Sequence, residues 1–476
     1  MTETHLAPRS PIVVVLGHID HGKTTLLDTL RKTRVAAKES GGITQHAAAY
    51  ELIHHDKRIT FIDTPGHEAF EAMRKRGAAL ADVAVLIVAA DDGVKPQTLE
   101  SLAAIGEAGI PFVVAVNKID LASADVARVK SQLAENGVAI EEWGGKIPLV
   151  EISAKMDTNL LALLEMVLLI AELEELRMDP TAPARGAVLE SYRDPRRGIT
   201  AELVLRDGIL KKGDIVAAGN AIASTKIMEA PTAVVGESLD EVKASSPVRI
   251  AGFDALPEAG APFAAFATKE EAEEWRRAQA KEGKGEAERK KQGIPLFFKT
   301  DTAGSLEALE AALEKIKIDY PHLVIAGKGI GDMGENDARF IETLSNPIVF
   351  GYRVDVRAYP RFDVIYEALE WLAQELHERI HREEQQHNRV FHGSLTVLRW
   401  FRAQGSRQII GGRVTEGSVR RGDAFSFPQG TEYGVIVNIE RNKVTVEEIQ
   451  KGEEAGLSVE APKKVREGQT LHFYDP

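Results

Sequence analysis

The chain has 476 residues, 44% hydrophobic and 28% charged, which is ordinary for folded domains and excludes wholesale disorder. At about 100 to 200 residues per domain, roughly three or four globular units are expected. It contains no cysteine, which excludes disulfides, thiolate metal sites, iron–sulfur clusters and cysteine nucleophiles, and suits the reducing cytoplasm. Lysine and arginine number 59 against 72 acidic residues, a net charge of −13, so any nucleic-acid partner has to be met by local basic patches rather than bulk charge. The longest apolar stretch, Leu160 to Leu173, includes Glu165 and Glu172 and is too short to span a bilayer, and the start MTETHLAPRSP lacks an apolar signal core. No membrane span or membrane partner is expected.

Within residues 1–180, continuous apolar runs (PIVVVLG, ITFIDTPG, VAVLIVAA, IPFVVAVNKID, IPLVEISAK) alternate with helical stretches from Lys23 to Lys32, Glu68 to Leu80 and Val126 to Asn136, and a closing helix runs from Leu160 to Leu176. Runs without alternation are strands buried on both faces, so a parallel, doubly wound α/β sheet is expected. Residues 184–268 change to short β-rich segments with Gly and Asp turns, the texture of a small β-barrel. Residues 269–293 are dense in charge with almost no apolar spacing and read as a solvated helix or linker with no core. Residues 294–360 return to a small α/β pattern, in which Ser305 is a plausible N-cap for the helix of TDTAGSLEALEAALEKI. Residues 361–388 carry Ile365, Leu369, Leu372 and Leu376 on one stripe of a single connecting helix, expected as a rod roughly 40 Å long. Residues 389–476 read as a second, C-terminal β-barrel. The fold class is thus α/β multidomain.

Gly17-His18-Ile19-Asp20-His21-Gly22-Lys23-Thr24 matches G-x-x-x-x-G-K-[ST] between a strand and a helix, the context a P-loop requires. Its backbone N–H groups would cradle phosphates, with Thr25 next in the same helix; Lys23 would reach the β and γ phosphates and Thr24 would ligate Mg²⁺. Asp63, at the end of ITFID, leads into Thr64, Pro65 and Gly66; its carboxylate would hold the metal shell and the Gly66 amide would face the γ-phosphate. Asn117, Lys118 and Asp120 follow VVAVN, and Asp120 can accept from both donors on the guanine edge, which adenine lacks. Ser153, Ala154 and Lys155 follow another strand end, where a backbone amide would meet the base O6. His18 and His21 themselves read as loop positions that tolerate many side chains. His377, His381 and His387 share helical spacing without a ligand pattern and read as a solvated face.

With GHIDHGKTTLLD, GGITQH and DTPGHEAF in hand, the chain resembles the translational GTPases and, more narrowly, the bacterial initiation factor two family. LRDGILKKGDIVAAG is similar to that family's second domain, FFKTDTAGSLEAL to its third and RVTEGSVRRGD to its last. The resemblance implies GTP and GDP as nucleotides, Mg²⁺ as cofactor, ribosome-stimulated hydrolysis, and the small and large ribosomal subunits and initiator tRNA as partners of a factor monomeric off the ribosome. It implies that Thr44 binds Mg²⁺ in the GTP state, that His67 orients the attacking water behind an apolar gate of Ile19 and Ile43, and that Asp20 assists at the phosphates. An archaeal or eukaryotic-type subunit-joining GTPase, another tRNA-delivering GTPase and a non-catalytic nucleotide-dependent scaffold are the alternatives.

Three features depart from the family, one of them the charge-mixed segment 269–293, to which no role is assigned. The family's last domain keeps two cysteines in the pocket for the formylmethionyl end; here Gly412 and Ala455 stand in their places, beside a retained Arg441 and Glu454, and a small apolar pocket of altered shape is expected. The G domain begins after about ten residues, so anchoring through the long N-terminal extension of many members is not expected. Arg420, Arg421, Lys463, Lys464 and Arg466 are the basic residues nearest to an RNA-binding reading of the last barrel.

Overall fold

The computed structural model describes residues 6–31, 47–231, 238–279, 293–387, 391–426, 433–442 and 444–474. Contacts divide the chain into two units, Met1–Trp371 and Leu372–Pro476.

In the first unit, six strands form the nucleotide-binding sheet: β1 (Ile12–Gly17), β2 (Ala48–His54), β3 (Lys57–Asp63), β4 (Val83–Ala89), β5 (Phe112–Asn117) and β6 (Leu149–Glu151). Their order is β2-β3-β1-β4-β5-β6, parallel from β3 to β6, with β2 added antiparallel to β3 at the edge. Helices α1 (Lys23–Arg31), α2 (Glu71–Leu80), α3 (Pro96–Ala108), α4 (Val126–Glu135) and α5 (Leu160–Leu173) connect and cover them. β1 and β4 are buried at every position, as runs without alternation require. The β2–β3 hairpin was not anticipated from AAYELIH; it turns through His55 and Asp56, both left-handed at φ 47° and 62°, the geometry of a two-residue hairpin turn. Helix α3 was not anticipated either, though Pro96 opens it and left-handed Gly109 closes it, both ordinary helix punctuation. The expected helix from Glu68 to Leu80 is broken: Glu68–Phe70 is a single 3₁₀ turn capped by His67, and α2 starts at Glu71.

Next along the chain, an antiparallel seven-stranded sheet built on Arg185–Asp194 and Gly198–Asp207 wraps a core of Val188, Leu203, Val216, Val248, Ile250 and Phe263. The segment expected as a solvated helix or a linker with no core begins with helix α6 (Lys269–Gln279). Its polar sequence hides one apolar edge: Ala272 is fully buried with Ala217 and Ile222, and Trp275 packs 6.1 Å from Phe266. Residues 280–292 lie outside the described ones.

A four-stranded parallel sheet follows, ordered Leu323–Ile330, Ile294–Thr300, Ile348–Tyr352, Arg361–Phe362, with helices α7 (Ala303–Asp319) and α8 (Glu335–Glu342). The N-cap of α7 is Thr302 and not Ser305: the Thr302 hydroxyl accepts from the Ser305 N–H at 3.1 Å, three residues on, the span a capping hydroxyl covers. The start of α7 is locked in place, because a Cβ on Gly304 would collide with the Met73 side chain of α2, and the Gly304 N–H donates to Glu190 at 3.0 Å. The connecting helix α9 runs Ile365–His387, about 35 Å at 1.5 Å per residue.

In the second unit, six strands close on themselves. Phe391–Gln404 pairs with Thr470–Tyr474 on one side and Arg407–Arg420 on the other; Ala424–Ser426, Tyr433–Arg441 and Glu454–Glu460 complete the ring. Closure removes open edges, and Leu395, Phe425, Leu457, Leu471 and Phe473 fill the interior.

Candidate nucleotide-hydrolysis site

All the sequence-predicted nucleotide residues that are described lie at the carboxyl ends of β1, β3 and β5 and just beyond β6, where open α/β sheets bind ligands. The P-loop leaves β1 through Gly17, on which a Cβ would collide with the Ile87 carbonyl, and reaches α1 through Gly22, on which it would collide with the Asn117 amide. Between them Asp20 is left-handed at φ 62° and exposed. Lys23 opens α1 and its ammonium, buried, donates to the carbonyls of Gly17 (3.0 Å) and His18 (2.7 Å). Burial pushes this lysine down to about 8, against the pull of Asp63 and Asp20, so it stays charged at neutral pH. Thr24 is half-buried and Thr25 exposed.

His21 is not a tolerant loop position. Its ring is fully buried, edge-on to His18 at 4.9 Å, with Nε2 3.4 Å from an Asp92 carboxylate oxygen. Burial, then the neighbouring His18, lowers it to about 4, so the ring is neutral.

Asp63 is buried at the end of β3, and Thr64 donates its hydroxyl to the Val15 carbonyl of β1 at 3.1 Å. Gly66 lies flat against the P-loop: a Cβ there would collide with the Lys23 ammonium and come within 3.0 Å of the Ile19 nitrogen. His67 is half-buried, its Nδ1 accepts from the Ala69 N–H at 3.1 Å, and its ring stacks 6.2 Å from Tyr366 at the start of α9. Burial lowers its pKa below the usual imidazole value. Thr44 and Ile43, expected in the switch and gate, lie outside the described residues. Thr24 and Asp63 present a hydroxyl and a carboxylate, oxygen donors of the kind that suit Mg²⁺ beside phosphate.

On the base side, Asn117 ties two loops together: its Nδ2 donates to the His21 carbonyl and its Oδ1 accepts from the Ala154 N–H, both at 2.9 Å. Asp120 is exposed and accepts from the Ser153 hydroxyl at 2.6 Å, which holds its carboxyl below the usual range. Lys118 is left-handed at φ 64°, with its ammonium 3.8 Å from Asp91, and Lys155 is exposed.

Sequence reasoning passed over three residues. Arg74 of α2 is buried and donates to the carbonyls of Pro65 (3.3 Å) and His67 (2.5 Å) and to Glu100 of α3 (2.5 Å). Gln97 of α3 accepts the Ile19 N–H at 3.0 Å. A signal for Arg74 existed: it falls on the stripe Phe70, Met73, Arg74, Gly77, Ala78, whose other members are small or apolar. Gln97 and Glu100 carried none.

In the C-terminal barrel, Gly412 and Ala455 are direct cross-strand partners. The expected pocket at Gly412 is filled, because a Cβ there would collide with the Leu395 side chain. Arg441 pairs with Glu453 and Glu454 with Arg413, so the two retained charges do not pair with each other. Arg420 and Arg421 pair with Glu448 and Glu447, and Lys464 sits 4.0 Å over the Trp400 ring. His377 and His381 are exposed, with parallel rings 6.4 Å apart; the side chain of His387 lies outside the described residues.

Four family profiles match in succession: Elongation factor Tu GTP binding domain over residues 8–172, Elongation factor G domain 2 over 183–266, Translation-initiation factor 2 over 268–370 and Elongation factor Tu domain 4 over 394–472. The translation initiation factor IF-2 of Rubrobacter xylanophilus is 38% identical, over 99% of this chain and 72% of that protein. The chain belongs to the translation initiation factor IF-2 family. The IF-2 of Caldanaerobacter subterraneus subsp. tengcongensis is 36% identical over 99% of this chain and 70% of its own length. Among solved structures, GDP-bound aIF5B from Aeropyrum pernix aligns with a TM-score of 0.50 and 28% identity, over 99% of this chain and 92% of that one. This is therefore a translation initiation GTPase, an enzyme that binds guanine nucleotide and hydrolyses GTP. Among the described residues, no helix is long and apolar enough to cross a membrane.

Proposed function

We propose that this GTPase promotes binding of formylmethionyl initiator tRNA to the small ribosomal subunit and then subunit joining, with hydrolysis stimulated by the ribosome. Residues 1–180 act as the G domain and 389–476 as the initiator-tRNA barrel; 184–268, 294–360 and the helix 361–388 lie between them. The observation that carries the hydrolytic half is the tight fit at Gly66, where a Cβ would collide with the Lys23 ammonium and come to 3.0 Å from the Ile19 nitrogen, so that the turn lies against the phosphate cradle. The P-loop amides bind the phosphates, and Asp120 reads the guanine edge with Asn117 and Ser153 to Lys155 holding its loops. Thr24 and Asp63, with Thr44, would hold Mg²⁺, which when bound neutralises phosphate charge. Lys23 absorbs charge that builds on the β and γ oxygens as water attacks in line, and His67, kept neutral by burial, orients that water.

Two measurements on the full chain test the two halves. His67→Ala is expected to lower ribosome-stimulated single-turnover hydrolysis by about 100-fold or more with GDP affinity unchanged; an unchanged rate removes His67 from the mechanism. Binding of formylated, unformylated and deacylated initiator tRNA at one salt concentration tests the other half. Preference for the formylated form, reduced in Arg441→Ala and Glu454→Ala, supports it, and equal binding of all three refutes it.

A further inference from the structure

Helix α3 touches both walls of the γ-phosphate site from behind. Gln97, its second residue, takes the Ile19 N–H of the P-loop at 3.0 Å. Glu100, one turn on and so on the same face, takes Arg74 at 2.5 Å, and Arg74 reaches the carbonyls of Pro65 and His67. The two walls meet where Gly66 lies against Ile19. α3 is a firm base for this, with Thr98, Ser101, Ala104 and Ile105 buried. The Ile19 N–H is satisfied by the Gln97 side chain, and a guanidinium as buried as Arg74 is costly to leave without its carboxylate partner.

We propose that α3 is a bracket in which Gln97 and Glu100 are positioning residues, setting the spacing between P-loop and catalytic turn on which γ-phosphate hydrolysis depends. Neither touches nucleotide. The proposal rests on the hydrolytic reading of His67 and Gly66 above and adds the residues that hold them. Because spacing errors near 1 Å cost rate far more than binding, the bracket acts on turnover.

The test uses the full chain with ribosomes. Gln97→Met keeps the length and loses the acceptor; it is expected to lower stimulated kcat about 10-fold or more, while GDP Kd and Tm hold. Glu100→Gln retains one acceptor oxygen and should keep more of the rate than Glu100→Met. In the double variant Gln97→Met/Glu100→Met the losses should be less than multiplicative, since one spacing is lost once. Full turnover in Gln97→Met, or a GDP Kd that weakens in step with kcat, overturns the bracket. His67→Ala runs alongside as the control: if it keeps full turnover, the failure lies in the hydrolytic reading. If it loses turnover while Gln97→Met does not, the failure lies in the bracket alone.

Discussion

The nucleotide end of the first unit and the C-terminal barrel hold their candidate residues in opposite ways. In the G domain the functional loops are held by buried or part-buried polar bonds: Asn117 ties the His21 and Ala154 loops together, Lys23 bonds back to Gly17 and His18 of its own P-loop, and Arg74 of α2 holds Pro65 and His67. In the barrel, Arg441 and Glu454 sit in exposed ion pairs with neighbours, and Gly412 is covered by Leu395. Buried ties fix geometry because an unmade bond there is costly; exposed ion pairs are cheap to break and leave their groups free to exchange partners. The first arrangement suits a rigid reaction site, the second a surface that forms on contact.

Gly66→Ala attacks the rigid side hardest. Its methyl has to displace the Lys23 ammonium and press on the Ile19 backbone, and single-turnover hydrolysis should fall roughly 100-fold; a near-normal rate would mean the turn is loosely held after all. The buried His21 offers a second probe, through pH. Its folded value is lowered to about 4 from an ordinary 6.5. Above 6.5 the ring is neutral folded or unfolded and pH has no effect through it. Between 6.5 and 4 the unfolded chain takes up a proton that the folded ring refuses, and stability drops by up to about 3 kcal/mol. Urea unfolding from pH 7 to 4.5 should therefore be less pH-dependent in His21→Asn than in the parent. The smallest effect belongs to the barrel. Gly412→Cys should cost about 1–3 kcal/mol by overpacking against Leu395, and less in a Leu395→Ala background where room exists; equal cost in both would mean that Leu395 does not fill the site.

The sequence made the nucleotide loops legible because the P-loop, DTPGH, NKID and SAK segments are local demands on backbone shape: glycine where a Cβ collides, a helix start where phosphate binds. Arg74, Gln97 and Glu100 were not legible, since they act across 26 and 78 positions of separation and no local pattern marks a long-range partner. The buried edge of α6 escaped because two residues, Ala272 and Trp275, carry its apolar packing. At Gly412 the resemblance alone leads to the expectation of a small hollow. Only the fold reveals that a leucine from the neighbouring strand takes up the space, so the deletion there leaves no hollow.

The cap at His67 sets the direction of the chemistry we propose for it. A neutral imidazole carries one proton, and Nδ1 spends its lone pair on the Ala69 N–H, so the proton resides on Nε2. Toward a nucleophilic water such a ring extends a donor and grips the oxygen by a lone pair, leaving the water's own protons to the phosphate side. While that cap persists, the role we propose for His67 is to aim the water rather than to deprotonate it; to serve as a base the ring would first have to surrender the turn it terminates.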